Sequence, residues 1–222
     1  MTLGLCASTE LRDLLLAQGV PAAKLRVHRL GIDVERFSPG AREHEPRDVV
    51  MIGRFIEKKG FEYGLQAFAI AARELPGIRL TLIGEGEREP ALRAIVRAEG
   101  LENRVTFAGT RSPEQVAATL ATCHVLLAPS VVEAGTGNRE SGLIVVKEAS
   151  ASGAVAIGTR HGGIPEIIDD GVTGYLVPER DVPALASRLV QVLRDPAHCQ
   201  ALGTAGREKM LREYDNRVRV RA

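Results

Sequence analysis

Polar and apolar positions along this chain follow two alternating rhythms. Short runs that are apolar almost throughout predict buried strands: DVVMIG (48–53), IRLTLIG (78–84), RVTFAG (104–109), HVLLAP (124–129), AVAIG (154–158) and TGYLV (173–177). LRVHRL (25–30) reads as a further strand. Between these runs the apolar residues recur at helical spacing. That predicts helices over 61–75, 90–99, from Ser112-Pro113-Glu114 onward, 142–152, 164–168, 181–193 and 197–213. Ser8-Thr9-Glu10 opens one more helix, which Gly19 stops, and the polar segment 38–47, with Pro39, Gly40 and Pro46, reads as a loop.

Buried strands that are each followed by a helix predict a parallel sheet covered on both faces. The expected fold is therefore α/β, a Rossmann-like doubly wound parallel sheet. Ligands of such sheets sit in the crevice outside the C-terminal strand ends. Several of those ends carry chemistry: Gly53-Arg54, Gly84-Glu85-Gly86, Gly109-Thr110, Ser130 and the stretch from Gly158 to Gly163.

Composition narrows the ligand. The 222 residues include 29 basic and 28 acidic side chains. Such a balance argues against a general nucleic-acid or membrane-surface binder, whose affinity comes from excess positive charge. Trp is absent, so no obvious stacking platform exists for bases or bare sugar rings. Cys6, Cys123 and Cys199 are widely spaced, form no metal-type pair and point to a reducing, cytoplasmic setting; Cys123 reads as core. No apolar run reaches membrane-spanning length, and the first residues, MTLGLCA, lack the basic start of a signal peptide.

Four constellations could carry chemistry. In GRFIEKKG (53–60), Gly53 lets the backbone turn, and Arg54 and Lys59 suit a phosphate, one as a planar fork and the other as a point charge. The alternative is a solvated basic loop, and Lys58 reads as plain surface. IGEGE (83–87) is a strand-end glycine turn, but it lacks a full dinucleotide fingerprint, and Glu85 and Glu87 would repel a pyrophosphate. In RESGLIVVKE, Ser141, Gly142 and Leu143 look like the first turn of a helix, whose free N–H groups favour an anion. Glu140 lies just before that turn and Glu148 about two turns inside.

Eight helical residues rise about 12 Å, more than the roughly 5–9.5 Å that separates the two carboxylates of a glycosidase. A division of labour fits better, with Glu140 accepting from sugar hydroxyls and Glu148 from a ribose diol. The alternative pairs Glu148 with a cation across the core and leaves Glu140 as a helix cap. In HGGIPE (161–166), Gly162 and Gly163 permit close backbone approach and make a second potential anion site. His161 reads most simply as a solvated loop side chain, and Asp169-Asp170-Gly171 as a turn.

Taken in order, RLGIDVERFSPG, GRFIEKKG, LIGEGE, RVTFAG, RESGLIVVKE, ASGAVAIGTRHGGIPEII and DGVTGYLVPERD resemble the C-terminal half of retaining glycosyltransferases of the GT-B fold, in the family called glycosyltransferase family 4 or glycosyl transferases group 1. The similarity covers about residues 8–213 and is greatest to enzymes of the colanic-acid, exopolysaccharide type. It implies a nucleotide-sugar donor of the UDP or GDP type, no metal, and a glycan or lipid-linked acceptor. Arg54 and Lys59 would neutralise the diphosphate and Glu148 would hold the ribose. Glu140 and the backbone of Ser141, Gly142, Leu143 and Ile144 would meet the sugar and phosphates, and residues just after Gly109 would lie near the base. Gly53, Gly84, Gly162 and Gly163 would line the site. Glu140, Arg54 and Lys59 would form its catalytic set. Ser141 stands where the family usually has Gly, and Lys147 where it is commonly apolar.

The resemblance also implies a domain plan. Residues 1–24 would be the end of an N-terminal domain and the crossing from it, and 25–222 the nucleotide-sugar-binding domain. The N-terminal acceptor domain, with any peripheral membrane contact at the inner face of the membrane, would be absent. On that reading the chain alone is inactive. The rival readings are another enzyme on the same architecture, such as a nucleotide-sugar epimerase or a glycogen synthase-like polymerase, and a non-catalytic nucleotide-binding or partner module.

Overall fold

The computed structural model describes residues 3–42, 45–140 and 143–219. Six parallel strands make the main sheet: β3 (Asp48–Ile52), β4 (Arg79–Ile83), β5 (Val105–Phe107), β6 (Val125–Ala128), β7 (Val155–Thr159) and β8 (Gly174–Val177). Their spatial order is β5-β4-β3-β6-β7-β8. The chain starts at the middle, winds outward to β5, and returns to wind the other way from β6. β3 and β6 therefore meet at the point where the winding reverses, which is where such sheets hold ligands. Their pairing is short, Val49 with Val125 and Val50 with Leu126, whereas β3 pairs with β4 over its whole length from Asp48 to Ile52. The two halves of the sheet thus part toward their C-terminal ends.

Successive strand residues point to opposite faces, and both faces are buried, so both parities must be apolar. Val49, Met51, Leu80, Leu82, Leu127 and Ile157 pack with α2 (Phe61–Glu74), α3 (Glu89–Ala98) and α7 (Val182–Arg194). Val50, Ile83, Leu126 and Ala156 pack on the other face with α4 (Pro113–Thr122), α5 (Ile144–Ala151), α6 (Ile164–Ile167) and α8 (Pro196–Glu213). Local sequence sets the helix starts. Ser112 and Gln115 form a capping box, while Asp181 and Asp195 accept from Ala184 and His198 N–H groups, each followed within two residues by proline.

The strand expected over 25–30 is shorter and sits elsewhere. β2 (Leu25–Val27) pairs in parallel with β1 (Gly4–Cys6) in a separate two-stranded sheet, with α1 (Thr9–Ala17) between them. Three residues per strand cannot bury a face unaided. This small unit is held to the main domain by Glu166 of α6, which accepts from Thr9 N–H (2.6 Å) and Arg29 Nε (2.5 Å). Lys147 of α5, only 3% exposed, donates to Leu30 O at 2.8 Å and lies over the Tyr214 ring. The atypical lysine thus secures the segment that links the small sheet to the large one. The chain closes in α9 (Asn216–Arg219).

Candidate functional site

β3 ends at the parting of the sheet. The chain turns at Gly53, makes a single 3-10 turn over Glu57–Lys59, and enters α2. The Lys59 stem lies across Gly53, where a β-carbon would stand 3.3 Å from Lys59 Cε. Its ammonium reaches Oε2 of Glu140 at 2.8 Å, and Lys58 Nζ lies 3.3 Å from Oε1. The three side chains are 11–19% exposed, so water screens them poorly. Burial pushes the Glu140 carboxyl up, but the Lys59 hydrogen bond and charge, with Lys58 behind them, outweigh it and hold the group below the usual carboxylate range. A narrow cleft between β3 and β6 runs beneath, lined by Ile52, Lys59, Ala128, Ser130, Leu143 and Val145.

Two glycines make the close approaches possible. Gly84, at φ +135°, lies where a β-carbon would be 1.9 Å from Gly53 O, and its N–H donates to Gly109 O at 2.9 Å, so the turns after β3, β4 and β5 stack directly. Gly162, at φ +55°, does the same between the turn after β7 and the loop after β6: a β-carbon there would meet Glu140 O at 2.1 Å. Gly163, which is buried, caps α6.

The loop after β6 carries Glu140 and is tied at both ends. Glu140 N–H donates to His161 Nε2 at 2.9 Å, and His161 Nδ1 meets Glu179 Oε1 at 2.7 Å. Glu179 Oε2 accepts from Val132 N–H at 2.8 Å. A backbone N–H can only donate, so Nε2 is the acceptor, and the proton on Nδ1 faces the carboxylate. Burial raises the Glu179 carboxyl, but the Val132 and His161 hydrogen bonds and the nearby positive charge bring it below its ordinary value. Further along, Ala134 N–H donates to Glu57 Oε1 at 2.8 Å.

α5 begins at Ile144, preceded by Leu143 in the left-handed region (φ 41°, ψ 40°). A buried leucine in that conformation costs of order 1–2 kcal/mol and marks a locally over-determined backbone. Glu148 lies one turn into α5, half-buried, on the side of exposed Ile144. It has no hydrogen-bond or ion-pair partner among the described residues. Burial lifts its carboxyl, and the Arg36 charge only partly offsets this. Arg54, just past β3, is exposed and likewise unpaired among the described residues.

Lys59 and Glu140, distant in sequence, are thus in contact, with Gly53, Gly84, Gly162 and Leu143 packed around them. Arg54, Gly109, Ile144 and Glu148 lie at the same edge of the sheet without touching that pair. Four expectations are corrected. Lys58 is a partner of Glu140 rather than plain surface. His161 is buried, 1% exposed, rather than solvated. Glu148 stands one helical turn inside α5, not two, because the helix starts at Ile144. Glu140 pairs with lysines and does not cap the helix, whose cap residue is Leu143 with no side-chain bond. Ser141 and Gly142 lie outside the described residues. Glu179 lies in the quoted motif DGVTGYLVPERD but received no role there, since only the turn after β8 brings it under the loop. Among the described residues no group of three or more His, Cys, Asp or Glu could hold a metal. A cavity of about 710 Å³ lies at the opposite strand ends among Arg42, His124, Gly153, Cys199 and Arg207.

A family model described as glycosyl transferases group 1 matches residues 33–209. The chain belongs to that family. It is 32% identical over 209 residues to the amylovoran biosynthesis glycosyltransferase AmsK of Erwinia amylovora, covering 93% of this chain and 51% of that protein. It is also 32% identical over 207 residues to the putative colanic acid biosynthesis glycosyltransferase WcaL of Escherichia coli K12, with 92% and 51% covered. The chain therefore spans about half the length of the curated relatives it matches. Anabaena HepE, solved in complex with UDP and glucose, superposes with a TM-score of 0.88 at 19% identity, over 99% of this chain and 61% of that one. The doubly wound sheet of this family member is Rossmann-like and matches GT-B glycosyltransferase structures. Among the described residues no helix is long and apolar enough to cross a membrane.

Proposed function

We propose that this chain is the donor half of a retaining glycosyltransferase that moves a hexose from a nucleoside diphosphate sugar to a glycan or lipid-linked acceptor. The observation that carries the reading is the set of lysines gathered on Glu140 at the parting of the sheet, with an unpaired, half-buried Glu148 one turn inside the adjoining helix. Lys58, Lys59 and Arg54 against Glu140 leave an excess of positive charge suited to a diphosphate diester. Glu148, short of partners and costly to bury, gains two when it accepts from the vicinal hydroxyls of a ribose. Relatives named as amylovoran and putative colanic acid biosynthesis glycosyltransferases, and a neighbour solved with UDP and glucose, support the donor class.

Chemistry on this scaffold needs no protein nucleophile and no metal. The bond from the anomeric carbon to the diphosphate breaks, the new bond to the acceptor oxygen forms on the same face, and a diphosphate oxygen takes the acceptor proton. Negative charge grows on the leaving diphosphate, and fixed ammonium groups in a poorly hydrated cleft stabilise it there. Glu140 accepts from the sugar hydroxyls, and the lysine ammonium groups that it pairs with turn to the phosphates. The acceptor is held by a second domain of the whole enzyme, on the cytoplasmic side of a membrane. This chain alone binds donor and transfers nothing efficiently.

Calorimetric titration with UDP, GDP and ADP tests the reading. Saturable binding of UDP or GDP is the expected result. Absence of heat with all three, up to millimolar nucleotide, overturns it.

A further inference from the structure

Glu140 is the only acidic group on the lysines of the cleft among the described residues, so its position sets the charge that a donor meets. What holds that position is not the carboxylate alone. The loop from β6 to α5 leaves the sheet at Pro129 and has returned to the cleft by Glu140, and the loop between those ends is largely exposed. Its neck is closed by one continuous chain of hydrogen bonds: Val132 N–H to Glu179, Glu179 to His161, and His161 to Glu140 N–H. Arg180, in the left-handed region at φ 61°, adds a bond from its guanidinium to Val132 O at 2.5 Å.

The side chains that close the neck come from other layers of the sheet. His161 stands in the turn after β7, with its side chain fully buried, and Glu179 in the turn after β8, 20% exposed. A histidine that merely filled space would be replaceable by an apolar residue. Here both ring nitrogens are committed to polar groups, one of them the main chain of Glu140 itself. The missing side chain of Gly162 lets the two backbones come within reach. A buried N–H without its acceptor is costly, so the loop end follows the imidazole.

We propose that His161 is a positioning residue of the donor site: its Nε2 sets where Glu140 stands against Lys58 and Lys59 by closing the neck of its loop, and Glu179 on Nδ1 fixes the tautomer that leaves Nε2 an acceptor. The proposal rests on the donor reading above for its consequence in binding, but not for the tether itself.

Two substitutions separate the links. An asparagine places its amide near Nδ1, so His161→Asn keeps the bond to Glu179 and loses the one to Glu140. A glutamine reaches the place of Nε2, so His161→Gln keeps an acceptor for Glu140 N–H and gives up Glu179. Amide hydrogen exchange, thermal unfolding and UDP titration are measured on the same 222-residue chain. Exchange at Glu140 is expected to speed up in His161→Asn and to stay slow in His161→Gln. UDP affinity is expected to fall about tenfold in the first and stay within about threefold in the second, the size expected for one lost positioning hydrogen bond.

Unchanged Glu140 exchange in His161→Asn overturns the proposal. So does an equal loss of affinity in both variants that tracks their loss of thermal stability, since that is the mark of a merely structural side chain. If the unaltered chain binds no nucleotide, the donor reading fails, and the exchange data still decide whether the tether exists.

Discussion

Lys59 and Glu140 are 81 residues apart in sequence and 2.8 Å apart in space, joined across the line where the sheet divides. The ammonium already has an anion, and a donor diphosphate must compete for it or share it. Lys59→Met is therefore expected to weaken UDP binding about tenfold or more while leaving uridine, which has no phosphate, unaffected. Titrating both ligands against both proteins checks this. A parallel loss for uridine would place Lys59 away from the phosphates.

Glu148 makes the complementary prediction. If its carboxylate clasps the ribose, Glu148→Ala costs UDP affinity about tenfold and costs a 2′,3′-dideoxy analogue nothing, because the analogue has no diol to lose. The four titrations close a cycle, and a coupling near zero removes Glu148 from the ribose.

The two glutamates also respond oppositely to pH. Glu140 is held below its ordinary range in the folded chain, so the stability it contributes is complete above that range and is lost as pH falls through its folded value. Glu148 is raised, so its ionisation opposes folding, and that penalty disappears as pH falls. At about pH 7, Glu140→Gln is expected to lower the urea midpoint and Glu148→Gln to raise it. Well below the carboxylate range both differences shrink toward zero. Midpoints of the three proteins at the two pH values test the signs.

Gly84 has room for nothing larger than hydrogen. A β-carbon would stand 1.9 Å from Gly53 O on a backbone at φ +135°. Gly84→Ala is expected to cost about 3 kcal/mol or more of stability, because both strain and overlap must be relieved by separating the turns after β3 and β4. Denaturant unfolding measures it.

Lys147 is a structural test outside the site. Lys147→Met keeps the stem and removes the charge, leaving Leu30 O without this donor. The expected cost is roughly 1–2 kcal/mol, with faster amide exchange confined to the segment around Leu30.

The six main strands were legible because each is buried on two faces and must be apolar throughout. Lys59 and Glu140 stood out as candidates because one flanks a strand-end glycine turn and the other immediately precedes a predicted helix start. Other positions depend on information that local pattern does not contain. Lys58 and Lys59 look alike as neighbours. Only the single 3-10 turn over Glu57–Lys59 brings both to one carboxylate. His161 reads as a loop residue until Glu179, from the next strand, is brought beneath it. β2 carries the alternation of a sheet strand, but its partner is β1, and nothing in three residues announces which sheet they join.

Because β3 and β6 share a ladder over only two residue pairs before separating, the two wings of the domain are fastened at that rim by loop contacts: the lysines on Glu140, Val131 N–H on Lys58 O and Ala134 N–H on Glu57. A bound diphosphate would touch both wings and act as a rivet between them. Melting temperature should then climb with nucleotide concentration as mass action requires, and the gain should come mainly from slower separation of the wings rather than from any tightening of the core.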